Sequence, residues 1–236
     1  MNKALDITAK VLSTLLYPLF IPTYGIGLYC YVFMRAYPLP LVWPLVAIIG
    51  TFILTCILPV TAIWIMIRRG DVTDLQINDA GERTMPYIYA VLGFSFWCYL
   101  MISILHVPLY IGLVTIGASL AIGIITLINR KWKISAHLAG MGGLVGGIMA
   151  YYLGIGMMPN WGLLSVWLCL SLALMFARVR LNAHTPAQVS AGWLLGIACT
   201  FIPYCIYHYA ASYSNICSVS DAGCLHSVTG SDNAQR

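Results

Sequence analysis

Residues 41–67 read LVWPLVAIIGTFILTCILPVTAIWIMI, an apolar stretch without one acidic or basic side chain. Crossing a hydrocarbon core as a helix takes about 17–20 such residues. This stretch is longer than that, and a soluble domain has nowhere to hide it. Outward from it the pattern repeats. Apolar runs cover 11–33, 85–105, 108–128, 135–155, 160–177 and 186–208, and none carries an interior acidic or basic residue. Over the whole chain 61% of residues are hydrophobic and 8% charged, against roughly 25% charged in a soluble domain. The expected fold is all-α, a polytopic transmembrane bundle of about seven spans. It occupies residues 1–208 and leaves 209–236 as a polar C-terminal tail.

Lys3 and Lys10 before the first run imitate a signal peptide. The run exceeds an h-region of about 7–15 residues and has no clear small-residue cleavage site, so a retained helix is expected. Six cysteines (30, 56, 98, 169, 199 and 205) fall in apolar runs as small packing residues. Cys217 and Cys224 lie in the tail and could pair in an oxidising compartment. Prolines 18, 22, 59 and 203 lie inside apolar runs and predict kinks or breaks.

Seven alternating spans sort the connections onto two faces. The N-terminus, 68–84, 129–134 and 178–185 share one face, with Lys3, Lys10, Arg68, Arg69, Arg83, Arg130, Lys131, Lys133, Arg178 and Arg180. The opposite face has only Arg35 and Arg236. The positive-inside rule makes the basic face cytoplasmic and puts the tail outside. The net charge of +5 therefore reflects membrane-flanking loops and not a nucleic-acid partner.

Three polar segments at helix starts fall on the basic face: Glu82-Arg83-Thr84-Met85-Pro86, Lys133-Ile134-Ser135-Ala136-His137 and Arg178 through Pro186. Ser135 and Thr185 are N-cap types, and Pro186 suits the first helical position. Helix N-termini attract anions, and arginine forks match phosphate oxygens. His137 and His184, imidazoles able to exchange protons near neutrality, share these entrances. Cations around a phosphate with an imidazole on each side suggest phosphoryl transfer, with one histidine attacking phosphorus and the other protonating the leaving oxygen. The small-residue run Gly140–Gly147 on the same stretch as His137 predicts close helix packing that holds the segments together. Arg130, Lys131 and Arg180 read as flanking anchors, and His106, His208 and His226 as structural.

These residues resemble the type-2 phosphatidic acid phosphatase superfamily of membrane lipid phosphatases. Its third motif is Ser-Arg, five residues, His, three residues, Asp; this chain has Ala177-Arg178, five residues, His184, three residues, Gln188. Its second motif, Ser-Gly-His, is matched by Ser135-Ala136-His137. Of its first motif, a Lys and a downstream Arg-Pro, only Arg83 with a displaced Pro86 is present, and Gln76 stands seven before Arg83. The resemblance covers about 76–196.

It implies a six-helix core to which the first helix is an addition, and a phosphatase needing no metal or cofactor that works through a phosphohistidine. His184 would be the nucleophile and His137 the general acid. Arg83, Arg178 and Ser135 would hold the phosphate, Lys133 would stand in for the missing first-motif Lys, and Gln188 would orient His184 in place of Asp. The implied substrate is a lipid phosphate or a polyprenyl diphosphate, met among membrane lipids of the bacterial inner membrane. The departures at Gln188 and in the first motif point to a second expectation, a non-catalytic protein that binds or moves a phosphorylated lipid. A third is a transporter or scaffold in which the basic face only sets topology.

Overall fold

The computed structural model describes residues 3–36, 40–73, 82, 84–107, 109–154, 156 and 158–229, without the side chains of 33–36, 110, 154 and 211–229. Arg83 and the pairing of Cys217 with Cys224 lie outside the described residues. Among the described residues all regular structure is helical: α1 (Lys3–Leu15), α2 (Ile21–Ala36), α3 (Val42–Phe52), a π-helical turn (Ile53–Ile57), α4 (Leu58–Arg69), α5 (Thr84–Ser103), α6 (Leu109–Ile128), α7 (Ala136–Gly154), α8 (Trp161–Arg180) and α9 (Pro186–Thr229).

Among the described residues, five helices are long and apolar enough to cross a membrane: Val42–Arg69, Thr84–Ser103, Ile111–Ile128, Trp161–Arg180 and Pro186–Ala210. Their outward side chains are large and apolar, as at Ile49, Leu172, Phe176, Leu194 and Ile206, each at least half exposed. That distribution suits a hydrocarbon surround and would be unstable in water. Run 135–155 forms α7, whose glycines lower its hydropathy and whose position is innermost; Leu138, Met141 and Ala150 are fully buried.

Run 11–33 departs from the expected single span. The chain breaks around Pro18, and α1 and α2 are separate helices of 13 and 16 residues. Proline forbids the helical bond from its own nitrogen and crowds the preceding turn. Pro22 does no harm in the first turn of α2, where amide hydrogens lack intrahelical partners anyway. Pro59 acts differently: just ahead of it the Leu58 N–H bonds the carbonyl of Ile53 five residues back, a π turn that keeps Val42–Arg69 continuous. Pro203 is carried inside α9 without a break.

The centre is α7 packed on α9. A Cβ on Gly142 would run into the carbonyl oxygen of Trp193, and one on Gly196 into that of Ala139. A Cβ on Gly192 would lie 2.5 Å from the Ser135 carbonyl oxygen. The helices therefore touch backbone to backbone, the close approach that small residues permit. On the other side of α7, α2 runs parallel to it, with Ile21 over Gly140, Gly25 beside Leu144 and the Tyr29 ring 5.0 Å from Tyr151. Buried polar pairs tie the remaining helices: Ser95 to Ser119 at 2.8 Å, and Trp97 Nε1 donating to Thr51 Oγ1 at 2.9 Å.

Candidate functional site

The link between α8 and α9 is built from two back-to-back caps. At the end of α8 the Ala183 N–H bonds the Arg178 carbonyl and the Asn182 N–H bonds that of Val179. Asn182 sits at φ 51, so the turn is a Schellman closure with asparagine in the left-handed position. Two residues later α9 opens with a capping box. Thr185 Oγ1 accepts from the Gln188 N–H at 3.4 Å, and Gln188 Oε1 accepts from the Thr185 N–H at 3.1 Å. His184 lies between the two caps, so helix termination and initiation together set its offset from Arg178.

Gln188 has a second task. Its Oε1 lies 3.3 Å from His184 Nδ1, and the Lys133 carbonyl oxygen lies 3.2 Å from the same nitrogen. The Thr185 N–H settles which amide atom of Gln188 is oxygen. Both partners of Nδ1 are then acceptors, so Nδ1 carries the hydrogen and the lone pair of the neutral ring sits on Nε2. The 129–135 connection is held to α9 here as well, because the Ser135 N–H bonds the Gln188 carbonyl at 3.3 Å.

His137, Arg178 and His184 line one cavity of about 70 Å³ together with Tyr17, Pro18, Leu19, Pro59, Ile63, Pro86, Tyr87, Ala90 and Ala136. The starts of α5, α7 and α9, the end of α8 and the break before α2 thus meet around this cavity. The Tyr17 ring meets His137 edge-on at 5.5 Å between centroids and 89° between planes. His184 is buried.

The other expected site residues are placed as follows. Lys133 reaches His184 through its main-chain carbonyl and is not among the residues lining the cavity. Ser135 is fully buried just behind Ala136, and its Oγ has no hydrogen-bond partner among the described residues. Gln188 is an acceptor for His184, the orienting position expected of it, without a charge. Arg180 makes an ion pair with Asp6, Nε to Oδ1 at 2.8 Å, and so ties α1 to α8. Tyr17 and Tyr87 are wall residues that the sequence reading missed. The signal for Tyr17 was Pro18 with Pro22 after it, which marks a break and puts the preceding tyrosine at the same end as the histidines.

A second cavity of about 200 Å³ adjoins the first and shares the wall residues Pro18, Leu19, Tyr87, Ala90 and Ala136 with it. Its walls are almost wholly apolar, with Phe94, Trp97, Ile111, Leu144 and Ile148 among them. The threonines that face it donate their hydroxyls to their own helices: Thr51 to Ala47, Thr55 to Thr51, Thr115 to Ile111 and Thr200 to Gly196.

Fold and site together define a protein whose described residues are all-helical, with five helices among them suited to crossing a membrane, consistent with an integral membrane protein. It carries a small cavity with two histidines and an arginine, adjoining a larger apolar one. Compared with protein-family models, curated proteins and solved structures, the chain matches none.

Proposed function

We propose that the protein is a membrane phosphatase of the type-2 phosphatidic acid phosphatase kind, removing phosphate from a lipid phosphate or polyprenyl diphosphate through a phosphohistidine. The observation that carries this is the shared cavity of His137, Arg178 and His184, beside an apolar cavity with room for part of a lipid tail. A soluble phosphate ester would leave that second cavity unused.

In the proposed reaction the Nε2 lone pair of His184 forms the bond to phosphorus as the bond to the leaving oxygen breaks. Protonated His137 gives its proton to that oxygen. Water then attacks the phosphohistidine and passes a proton to His137, releasing phosphate and restoring both imidazoles. Arg178 balances charge on the phosphate oxygens, Arg83 takes the supporting role that the family resemblance gives it, and Lys133 supports the reaction through its carbonyl on His184. The Nδ1–H of His184 points to two neutral oxygens, so its imidazolium character during transfer is supported by dipoles and not by a carboxylate. In this proposal the basic face is cytoplasmic, the tail lies outside, and the membrane is the bacterial inner membrane.

The absence of a negative charge at Gln188 favours one alternative, a protein that binds a phosphorylated lipid without turning it over. Phosphate release by the purified, detergent-solubilised protein over a panel of lipid phosphates, with chelator present, separates the two. Release that disappears in His184→Ala supports the phosphatase. Binding lost in Arg178→Ala with no turnover of any substrate would put the binding protein first.

A further inference from the structure

The larger apolar cavity is long and narrow. Its wall on α7 runs through Ala136, Gly140, Gly143, Gly147 and Tyr151, one stripe at helical spacing. From the first to the last of these a helix rises about 22 Å at 1.5 Å per residue. The neighbouring helices keep the same register. On α2, Ile21 lies against Gly140, Gly25 against Leu144 and Tyr29 against Tyr151. On α6, Ile125 clusters with Ala139 and Val114 meets Gly147, so this helix runs the opposite way. On α5, Tyr87 packs on the Ile125 cluster and Trp97 shares a cluster with Ile111. Each of these residues lines the cavity, which therefore follows α7 between α2, α5 and α6 for that whole distance.

Spread over about 22 Å, a volume of about 200 Å³ leaves the centres of enclosed groups a mean section of roughly 9 Å², or about 3.4 Å across. Packed carbons keep their centres about 3.5–4.0 Å apart. The bore takes one hydrocarbon chain in file and not two abreast. Its length exceeds the depth of one leaflet, about 15 Å as half of a hydrocarbon core, so a whole acyl tail fits inside. The walls are almost wholly apolar, and an apolar cavity holds water poorly. At one end of the bore Tyr87, Ala90 and Ala136 are shared with the cavity of His137, Arg178 and His184. At the other end the rings of Tyr29, Tyr151 and Tyr152 stand edge-on, with centroids 5.0 Å and 5.4 Å apart in succession.

We infer that this cavity is a slot for one hydrocarbon chain of the phosphorylated lipid, held inside the bundle and not in the surrounding bilayer, with the chain end among the three tyrosines. The position of the phosphate rests on the site proposed above; the slot itself rests on length, bore and lining. A second tail, where the lipid has one, stays in the bilayer. A tail entering the slot exchanges one hydrocarbon surround for another. The slot thus adds little affinity and acts on which chains can be seated with the phosphate at the histidines.

The test uses full-length protein in phosphatidylcholine nanodiscs. The probe is hexadecyl phosphate carrying a photoactivatable diazirine either at the far end of the chain or beside the phosphate. Labelled residues are mapped by mass spectrometry. The chain-end label is expected on Tyr29, Tyr151 or Tyr152, and the phosphate-side label on Tyr17 or Tyr87. Chain-end labelling confined to outward residues such as Ile49, Leu172 and Phe176 would overturn the slot. With phosphate-side labelling still on Tyr17 or Tyr87, that result leaves the proposed site standing. Chain-end labelling of the three tyrosines without any phosphate-side labelling of Tyr17 or Tyr87 keeps the slot and sinks the phosphate site instead. Geranylgeranyl phosphate with an end diazirine runs alongside; labelling of the same tyrosines by either probe supports the slot and tells an alkyl from an isoprenoid source. Ala118, midway between Ile111 and Ile125 on α6, lines the bore. Ala118→Trp should abolish chain-end labelling of the tyrosines and leave phosphate-side labelling in place, and undiminished chain-end labelling in this variant would overturn the inference. The unsubstituted protein decides the point even where the variant fails to fold.

Discussion

Adding one methyl group to Gly192 tests the contact that brings the two histidines together. A Cβ there would lie 2.5 Å from the carbonyl oxygen of Ser135, whereas real Cβ contacts essentially never fall below 3.0 Å and are comfortable beyond 3.4 Å. The obstacle is backbone, and it is doubly held. The Ser135 carbonyl accepts the Ala139 N–H, and the Ser135 N–H bonds the Gln188 carbonyl. Gly192→Ala must therefore part α7 from α9 by roughly 0.5–0.9 Å, the shortfall from those limits, just where His137 and His184 are positioned. Overpacking of this kind costs about 1–3 kcal/mol. At about 2–4 °C per kcal/mol for a chain of this size, the thermal midpoint in detergent should fall by several degrees. Misplacement by about 1 Å can cost about a hundredfold in rate, so phosphate release should drop by at least about tenfold. Gly143→Ala is the control. Its Cβ meets Thr200 Cγ2 at 3.5 Å, an ordinary contact, and replacing a mid-helix glycine by alanine contributes up to about 1 kcal/mol of stability. Differential scanning fluorimetry of both variants measures the contrast. Equal midpoints for Gly192→Ala and Gly143→Ala would refute the backbone-to-backbone contact of α7 and α9.

Two further substitutions separate orientation from binding at the site. Gln188→Ala removes the acceptor for the Thr185 N–H and one of two acceptors for His184. It should lower stability by about 1 kcal/mol and kcat by about tenfold with KM unchanged. Gln188→Glu keeps both acceptors, adds a charge beside the imidazole, and should match or exceed the parent in kcat. Wild-type kcat in Gln188→Ala would mean that the Lys133 carbonyl alone sets the ring. Ser135→Ala deletes a buried hydroxyl with no partner among the described residues. Its thermal midpoint should stay the same or rise slightly, while KM rises if Ser135 Oγ turns to the phosphate. A midpoint several degrees lower would reveal a hydrogen bond within the protein.

Much of the site was legible because helix ends are written locally. The run from Arg178 to Gln188 encodes a Schellman closure on Asn182 and a capping box on Thr185 and Gln188, and both are short-range choices among adjacent residues. Their order alone puts Arg178 and His184 at the same end of α8 and α9. The glycines of α7 likewise announced a close neighbour, although not which one. The split of run 11–33 was harder to see. Pro18 weakens a helix wherever it stands, yet Pro203 is accommodated within α9 and Pro59 within a π turn. Which proline breaks the chain depends on the neighbours available to satisfy the released carbonyls, and those are tertiary.

The sequence by itself determined that the chain is helical and that its long helices suit a membrane. Composition and run length require no knowledge of packing. Only the tertiary structure decided that Lys133 acts on His184 through its carbonyl, that Gln188 serves a cap and an imidazole with one oxygen, that Tyr17 packs on His137, and that Asp6 of α1 pairs with Arg180 of α8. Each of these depends on distances of a few ångströms between segments far apart in the chain. Such distances follow from how closely α7 and α9 approach, and glycine at the contact settles that only once both helices are in place.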